Sequence, residues 1–380
     1  MELGLESVFA EYDKKLLEEY DIFARANSYE GSIIERLHYY GNRNLNQELV
    51  CIEYLSDCKG VPFYEAAVRY VKDWIEIELE IPDVKLSSDT GILEQQIKEN
   101  IDNLHLEEDN PLSNIANLIR TNLLTNLVLN QDDISQNKVE LMSLPSHRTL
   151  EEGSEYNQIA EEKDKAFFIA YLLEHFSDVT ESKTEQKLAY ELEYLLGGED
   201  SDKENLENVL HKLLLIRMGA NYAYLLTDET KKAEAGALAA VLCTLTAAQG
   251  MTDAVKQTLL LAWAYGESIL DLRVLMKNEK VPILKTKETW QMQLSSLGKL
   301  GTDEDAKEEK GAEKGLGYTE YLAGLLLLEN TENLCMRSLD LIELHTSVQV
   351  DQCMTKAVIQ SENRLREGIT DRFQTEFYYK

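Results

Sequence analysis

The chain has 380 residues, 44% of them hydrophobic, which is enough for about two or three ordinary domains and at least one large core. Its 38 Lys and Arg against 69 Asp and Glu give a formal net charge of -31, which repels phosphate backbones and argues against nucleic acid as a partner. The chain has only 5 prolines and 19 glycines. Folds of many short strands need more of these turn residues, so the composition favours helix.

Residues 4–26 are predicted to form one amphipathic helix, which we call the stem. Its apolar side chains recur at steps of three and four, whereas acidic residues and lysines occupy the opposite side. One stripe is therefore expected to be buried, and it consists of Leu5, Val8, Phe9, Tyr12, Leu16, Tyr20 and Phe23.

Short helices and strands are predicted to follow the stem. Residues 33–40 have the pattern of a helix, and the β-branched residues of 48–55 indicate a strand. The helical period returns over 63–74. Residues 75–86 then alternate isoleucine and leucine with acidic residues, which predicts a half-buried strand that ends at Pro82.

The segment from 87 to 157 has a mixed pattern. It contains a predicted helix over 110–130, a predicted strand over 138–144 and a polar loop over 145–157. We assign these residues, with the stem and the first strand, to an N-terminal α+β region that spans 1–157.

A helical bundle is predicted over 158–346, where the helical periodicity is strongest. Its first five helices are expected over 163–176, 185–198, 202–227, 229–250 and 252–278. Ser201 with Glu204 has the spacing of a capping box, Thr252 and Asp253 are good start residues, and Gly197 with Gly198 is a stop signal. Several of these stretches are apolar nearly all round, as is typical of a central helix, and the predicted core includes Leu213, Leu260, Trp263 and Leu270.

The end of the chain combines a charged loop, a helical pair and strands. Residues 301–317 are charged and rich in glycine, so they predict a flexible surface loop that proteases cut first. Helices are expected over 318–330 and 331–346, and residues 347–380 are predicted to be strands that join the N-terminal region. In the last strand Phe373, Thr375, Phe377 and Tyr379 alternate with mostly polar residues. The predicted fold class is therefore α+β, predominantly α: a helical bundle with a small mixed or antiparallel sheet of N-terminal and C-terminal strands.

The cysteines and histidines show no pattern of a metal or disulfide framework. Cys243 and Cys335 lie in apolar stretches and are expected to be buried thiols, whereas a bridge between Cys51 and Cys58 stays open. Cys353 completes an odd number of five. The six histidines are scattered without zinc-site spacing and are expected to be surface or interhelical residues.

Catalytic and cofactor motifs are missing from the sequence. The stretch "GESIL" at 266–270 lies inside a predicted helix and is no nucleophile elbow, and "GLGYTE" at 315–320 lacks the third glycine of a dinucleotide fingerprint. The acidic clusters "LEEDN", "GGEDSDKEN" and "TDEDAKEE" lack the ligand order of a calcium loop, although calcium binding there stays open. Three tryptophans and 19 tyrosines admit a binding face, while Tyr190 and Tyr194 better fit the core. We therefore predict no catalytic, cofactor-binding or metal-binding residue.

The sequence also lacks membrane and export segments. No run approaches the roughly 18 apolar residues of a membrane span, and no secretory signal precedes the stem. This pattern fits either a cytoplasmic protein or a longer protein without its first segment.

Four phrases of the sequence resemble an uncharacterised family of clostridial and related Firmicute surface proteins. They are "LESVFAEYDKKLLEEYDIFA", "AYELEYLLGGEDSDKENLENVLHKLLLIRMGANYAYL", "LLAWAYGESILDLRVLMKNEKVPILKTKETWQMQL" and "LCMRSLDLIELHT". Members of that family look like single-pass proteins with one hydrophobic span, this helix and a large extracytoplasmic domain. Their layout is similar to that of the pseudopilin-like proteins of Tad/Flp pilus systems.

This resemblance implies a non-enzymatic extracytoplasmic domain of a membrane-anchored surface protein, as a pilus-associated structural or assembly component. We expect about 20 apolar residues upstream of Glu2 to form the anchor, and other surface or pilus-system proteins to bind through the stem. An extracellular ligand-binding module and a cell-envelope hydrolase with a site assembled from distant residues are the alternatives. An aromatic-lined groove would favour the ligand-binding module, and convergent carboxylates in a deep pocket would favour the hydrolase.

Overall fold

The computed structural model describes residues 2–42, 46–74, 99, 111–121, 124–129, 132, 134–153, 164–181, 186–245, 249–302, 305, 309–364 and 370–379. These residues form a predominantly helical α+β fold, as predicted. The helices are α1 (Glu2–Phe9), α2 (Lys14–Tyr20), α3 (Glu30–Leu37), α4 (Asp57–Trp74), α5 (Pro111–Thr121), α6 (Leu124–Val128), α7 (Lys165–His175), α8 (Glu191–Gly197), α9 (Asp202–Thr227), α10 (Glu229–Leu245), α11 (Thr252–Met276), α12 (Tyr318–Leu328) and α13 (Thr331–Thr346). The strands are β1 (Asn46–Tyr54), β2 (Met354–Arg364) and β3 (Thr370–Tyr378).

The small sheet joins the two ends of the chain. Its strand order is β1-β2-β3 and both pairings are antiparallel. Leu49 pairs with Ile359 across the first ladder, and Phe377 pairs with Ala357 across the second. The prediction that N-terminal and C-terminal strands share one sheet is therefore confirmed, and of the two arrangements left open the structure has the antiparallel one.

Two hydrophobic cores hold the fold together. The larger core lies in the helical body, where α9 packs against α11 and α8, α10 against α11, and α4 against α7 and α13. The smaller core lies between α1, α3 and the sheet, and it consists of Leu5, Val8, Phe9, Ile33, Leu37, Met354, Ala357 and Ile359. Leu213, Leu260, Trp263 and Leu270 are all buried in the larger core, as predicted.

The stem is two helices, so the prediction of one continuous helix is wrong. The chain leaves the helical conformation after Phe9, and the Asp13 side chain caps α2 by accepting hydrogen bonds from the backbone N–H groups of Lys15 and Leu16. An aspartate at this position favours a helix start, because its carboxylate satisfies N–H groups that have no partner within the helix. The break lets the stripe divide: Leu5, Val8 and Phe9 enter the small core, whereas Leu16 and Tyr20 enter the large one. The body of the protein therefore covers most of the stripe.

The helical bundle agrees with the predicted helices in most places. Ser201 caps α9 by accepting the N–H of Glu204 at 3.4 Å, and Gly198 ends α8 with a φ of 72°. The second predicted helix is shorter than expected, because the Asp202 carboxylate accepts the N–H groups of Ala189 and Tyr190 and holds them outside the helix. The helix α10 lies at the surface, although its apolar sequence favoured a central position.

Other predictions have mixed outcomes. The strand predicted over 138–144 is wrong, since only Lys138 forms a bridge, with Ser201, and Leu141–Ser143 is a short 3-10 turn. The helix predicted over 110–130 corresponds to α5 and α6. The strand over 75–86, the acidic cluster at 106–110 and residues 154–157 of the polar loop lie outside the described residues.

The charged loop is anchored to the helical body, so the prediction of a solvated surface loop is wrong at Asp305 and Glu309. Both carboxylates pair with Arg273 of α11, at 2.7 and 2.9 Å, and Glu309 also pairs with Lys277 at 2.7 Å. The Glu309 side chain is only 2% exposed. Lys310 then exchanges hydrogen bonds with the Gln291 side chain. The loop composition is that of a flexible segment, but the buried Arg273 requires these carboxylates as counterions.

No helix among the described residues combines the length and the apolar character that a membrane crossing requires.

The first prediction concerns the core. Trp263 is 1% exposed, donates its indole N–H to the Met292 carbonyl at 2.9 Å and contacts the Trp290 ring edge to face. Trp263→Ala is expected to lower the free energy of unfolding by about 3–5 kcal/mol, because it leaves a large cavity in the core and removes one of the two indole donors to the Met292 carbonyl. Chemical denaturation measures this change, with Leu328→Ala at a 52% exposed position as the control. An unchanged midpoint for Trp263→Ala would contradict the assignment.

The second prediction concerns the charged loop. Glu309→Gln removes the charge that Arg273 and Lys277 share, so trypsin is expected to cleave after Lys310 about tenfold faster than in the wild type. Glu313→Gln removes a charge from an exposed position of the same loop and serves as the matched control. Equal cleavage rates in the two variants would show that the carboxylate of Glu309 does not hold the loop.

Candidate functional site

Four fully buried charges lie at the centre of the helical body. They belong to Arg217 on α9, Glu267 and Asp271 on α11, and Lys285 in the loop that follows α11, and each side chain is at most 1% exposed. The Lys285 ammonium lies 2.6 Å from both Glu267 Oε1 and Asp271 Oδ1, and Arg217 Nη2 lies 2.9 Å from Asp271 Oδ2. Two positive and two negative groups therefore balance each other, which is a condition for burying charge.

Polar neighbours complete this charge network. Asn221 donates to Asp271 Oδ2 at 2.9 Å and to Ser268 Oγ at 3.0 Å. The Glu267 carboxylate also accepts the backbone N–H groups of Gln291 and Met292. Burial raises the pKa of the Glu267 carboxyl, and the adjacent Lys285 ammonium opposes that rise. The network fixes the loop after α11 against that helix. None of the four charged groups in the network is exposed to solvent.

Ser268, the serine of the "GESIL" motif, belongs to this interior. It lies within α11, donates its hydroxyl to the Ala264 carbonyl at 2.7 Å and is fully buried. A nucleophilic serine requires a base at its hydroxyl, and here the hydroxyl is used in a helix-internal bond. The serine therefore lies inside a helix, as the sequence analysis predicted.

A second buried carboxyl lies between α8 and α12. Glu193 Oε1 accepts the Tyr318 hydroxyl at 2.7 Å and the backbone N–H of Val179 at 3.0 Å. Its other oxygen has no hydrogen-bond partner among the described residues. Burial, together with the charge of Asp178, raises the pKa of Glu193 to about 8, so this carboxyl carries a proton at neutral pH.

A carboxylate, an imidazole and a hydroxyl stand in line between α8, α13 and α2. Glu191 Oε1 lies 3.2 Å from His345 Nε2, and His345 Nδ1 lies 2.5 Å from the Tyr20 hydroxyl. This order resembles that of a catalytic triad. However, burial and the nearby Glu191 raise the pKa of the Tyr20 hydroxyl well above its usual range, and Tyr20 is only 3% exposed. A protonated, enclosed hydroxyl is a poor nucleophile, and the three side chains join α8, α13 and α2.

A serine, a histidine and an aspartate also meet where the polar loop crosses α13. The Ser146 hydroxyl donates to Asp340 Oδ2 at 2.5 Å and lies 2.7 Å from His147 Nδ1, and Tyr194 donates to the same Asp340 oxygen. In a Ser-His-Asp triad the aspartate bonds the imidazole, whereas here it bonds the serine. Asp340 also accepts the backbone N–H of Ser146, so the cluster has the features of a loop anchor.

Exposed aromatic side chains gather at the other end of the molecule. Tyr12, Phe23, Tyr39 and Tyr40 are between 37% and 65% exposed. The Tyr12 and Phe23 rings are 5.4 Å apart, those of Tyr39 and Tyr40 are 5.2 Å apart, and Phe23 stacks on Tyr379 at 5.8 Å. Together with Glu11 and Arg36 these residues form what we call the terminal aromatic surface.

Charged groups hold the terminal aromatic surface together. Glu11 accepts the Tyr40 hydroxyl at 2.7 Å and pairs with both Arg25 and Arg36 at 3.3 Å. The Arg36 guanidinium lies over the Tyr39 ring at 5.9 Å. Because Glu11 orders the two halves of the surface, the aromatic rings are presented in fixed positions. Tyrosines and arginines are the residues that most often anchor protein interfaces.

The described residues contain no group of three or more histidine, cysteine or acidic side chains placed to hold a metal ion. All five cysteines are free thiols: Cys243, Cys335 and Cys353 are buried, and Cys51 and Cys58 are not bridged. Tyr190 and Tyr194 belong to the core, as predicted.

The sequence analysis found neither the charge network nor the terminal aromatic surface. One signal for the network was present, since Glu267, Asp271 and Arg273 interrupt an otherwise apolar helix and therefore require partners. Their partners Arg217 and Lys285 have no local motif. For the aromatic surface only the number of tyrosines gave a signal: Tyr12 and Phe23 were predicted to be buried in the stripe of one helix, which is wrong, and Tyr39 and Tyr40 were assigned to a short helix.

Comparison with known proteins places most of the chain in one family. The model of DUF5702, described as a family of unknown function, matches residues 102–364. No curated protein and no solved structure matches the chain significantly. The described part of the match includes the helices from α5 to α13 and β2, whereas α1–α4, β1 and the terminal aromatic surface precede it.

The third prediction concerns the pH dependence of stability. Between about pH 4.5 and 8 the folded protein retains the Glu193 proton that the unfolded chain releases, so this group makes stability fall as pH rises through that window. Glu193→Gln cannot titrate, and its amide oxygen still accepts the Tyr318 hydroxyl. Relative to this variant, the wild type is expected to lose about 2–4 kcal/mol of unfolding free energy between about pH 5 and pH 9.

Denaturant titrations at the two pH values measure this difference. Glu18→Gln changes an exposed glutamate of α2 and serves as the control, which should follow the wild type at both pH values. A Glu193→Gln variant with the same pH dependence as the wild type would show that Glu193 is ionised in the folded protein at neutral pH.

Proposed function

The chain belongs to DUF5702, a family of unknown function, and we propose that it is a non-enzymatic, extracytoplasmic domain of a membrane-anchored surface protein that docks another surface protein. The terminal aromatic surface carries this proposal. It exposes four aromatic rings and one arginine side chain on a short N-terminal segment, and these residue types supply most of the binding energy in known interfaces. The partner we propose is a surface or pilus-system protein.

The interior of the helical body supports a structural role. The charged clusters that have the composition of an active site are used to join helices and loops: the network around Lys285 joins α9, α11 and the next loop, and Asp340 anchors the polar loop. The carboxylate, imidazole and hydroxyl around His345 join three helices. Their side chains are enclosed, which favours stability over contact with a substrate.

The membrane anchor is part of the proposal because of the resemblance of the four sequence phrases to single-pass surface proteins. The stem buries Leu5, Val8, Phe9, Leu16 and Tyr20 of its apolar stripe in two cores of this domain and leaves Tyr12 and Phe23 exposed. We therefore propose that the partner contacts the exposed rings of the stem and of residues 39–40, and that the buried part of the stripe takes no part in assembly.

A ligand-binding module is the second candidate, since exposed rings with hydroxyl and guanidinium groups between them also suit sugar rings. Tyr39, Tyr40 and Arg36 provide such groups on one surface. Soluble cell-wall glycans that compete with the partner would favour this candidate.

The fourth prediction tests the docking surface. A photo-crosslinking amino acid at position 39, in the native full-length protein in its own cells, is expected to give a crosslink to a second surface protein. The same substitution at position 328, which is 52% exposed on the helical body, is the matched control and is expected to give none. Tyr12→Ser with Tyr39→Ser should weaken binding to the identified partner by about tenfold or more, without change in unfolding midpoint.

Cell fractionation tests the location of the same tagged protein. The proposal expects it with the membranes and accessible to an external protease. A cytosolic protein, or equal crosslinks from positions 39 and 328, would overturn the proposal.

A further inference from the structure

The buried charge network brings one amine into contact with two carboxyl groups. The Lys285 side chain is 1% exposed, and those of Glu267 and Asp271 are completely buried. The Lys285 nitrogen Nζ lies 2.6 Å from Glu267 Oε1 and 2.6 Å from Asp271 Oδ1. An amine and a carboxyl group that are held together away from water are the reactants of an amide bond.

The two carboxyl groups make different contacts with the amine. Lys285 Nζ donates one hydrogen bond to Glu267 Oε1 and another to the Thr289 carbonyl at 3.1 Å. Asp271 Oδ1 has no hydrogen-bond partner among the described residues, although it lies equally close to Nζ. Since a carbon–oxygen bond is about 1.2 Å long, the carboxyl carbon of Asp271 lies at most about 4 Å from Nζ. Groups positioned for reaction are about 3–3.5 Å apart, so little movement is required.

The other oxygen of Asp271 is held by a positive and a polar group. Asp271 Oδ2 lies 2.9 Å from Arg217 Nη2 and accepts the Asn221 amide at 2.9 Å. Attack on the carboxyl carbon places negative charge on this oxygen, and donors that are already in position stabilise such charge. The geometry therefore favours Asp271 as the acyl group, with Oδ1 as the leaving oxygen.

Glu267 lies where a proton carrier is needed. Its carboxylate accepts the backbone N–H groups of Gln291 at 3.1 Å and Met292 at 2.6 Å, which fix its orientation beside the amine. Burial raises the pKa of this carboxyl, against the effect of the adjacent ammonium, and so favours its uptake of a proton. Glu267 Oε1 and Asp271 Oδ1 contact the same nitrogen, so one carboxyl group serves both the amine and the leaving oxygen.

We propose that Lys285 and Asp271 form an intramolecular amide bond, in a reaction that the folded chain carries out on itself. Glu267 takes a proton from the ammonium, and Nζ attacks the carboxyl carbon of Asp271. The bond from that carbon to Oδ1 then breaks, and Glu267 returns the proton. Oδ1 leaves as one water molecule with two of the three ammonium hydrogens, while the third stays on the amide nitrogen.

The charges and the surroundings are compatible with this reaction. One positive and one negative charge disappear together, so Arg217 and Glu267 still balance each other afterwards. The folded chain holds both reactants in place, which is equivalent to an effective concentration of about 10⁵–10⁸ M. The absence of bulk water around these buried groups opposes hydrolysis of the amide. The bond joins α11 covalently to the loop that follows it, and it does not depend on the docking proposed above.

Intact-mass spectrometry of the full chain, purified and then denatured, tests the proposal. The expected mass is that of the sequence less one water molecule, because ion pairs do not survive denaturation. A tryptic digest locates the bond, since trypsin does not cleave after an acylated lysine. The expected product is a branched peptide that joins residues 257–273 to residues 281–287. Its fragmentation shows which carboxyl group carries the amide.

Glu267→Gln tests the proton carrier. The amide keeps the size of the side chain and cannot take up the proton, so the crosslinked fraction is expected to fall about tenfold or more. Glu193→Gln changes another buried glutamate of the helical body and is the matched control, which is expected to lose one water molecule like the wild type. Thermal unfolding shows whether each variant is folded.

Three results would overturn this inference. A wild-type chain with the full mass of its sequence would show that the network consists of ion pairs alone, and this measurement decides the matter even where Glu267→Gln does not fold. A folded Glu267→Gln variant that crosslinks as completely as the wild type would remove the proton carrier. A branched peptide joined through Glu267 would assign the acyl group to the wrong residue.

Discussion

The helical body depends on how four charges are neutralised in its centre. Arg217, Lys285, Glu267 and Asp271 are almost completely withdrawn from water, and each of them would be strongly destabilising without the others. Because the carboxylates lie one helical turn apart on α11, the guanidinium from α9 and the ammonium from the following loop reach them only in one relative position of these elements. A hydrophobic contact tolerates small shifts, whereas such a set of bonds does not. The network therefore specifies how the central helices and their loop fit together.

The same physical rule explains the loops. Arg273 is buried near the end of α11, and it draws Asp305 and Glu309 out of solvent although their segment is strongly acidic. Asp340 in α13 holds the polar loop by the backbone and side chain of Ser146, and Asp202 holds the residues before α8. In each case a charged side chain on a helix forms hydrogen bonds or ion pairs with a segment that has no regular secondary structure. These bonds hold each of these segments in one position against the helices.

The surface divides into parts with different chemistry. The net charge of -31 opposes contact between copies of the chain. The terminal aromatic surface combines rings with a guanidinium around Glu11, which suits a partner of different sequence. The open side of α10 combines small and large aliphatic groups with the Glu234 carboxylate. The two surfaces lie in different elements of the fold.

The sequence by itself determined the elements that depend on nearby residues. The predominantly helical class, the core residues Leu213, Leu260, Trp263 and Leu270, the cap at Ser201 and the stop at Gly198 were predicted correctly, because periodicity and capping act within a few residues. The sharing of one sheet by the two ends of the chain was predicted correctly from the presence of strand patterns near both ends.

Only the tertiary structure decided which distant groups meet. The partners of Glu267 and Asp271 and the attachment of the charged loop to Arg273 depend on contacts between residues that are apart in the chain. The reason is that the stabilisation from a buried apolar or charged side chain depends on the neighbour that the fold places beside it, and the local sequence does not identify that neighbour. The split of the stem at Asp13 had a local capping signal that the prediction of one continuous helix did not use. The uncharged residues 235–245 are compatible with a central or a surface position, and the packing of α11 against one side of α10 leaves the other side exposed.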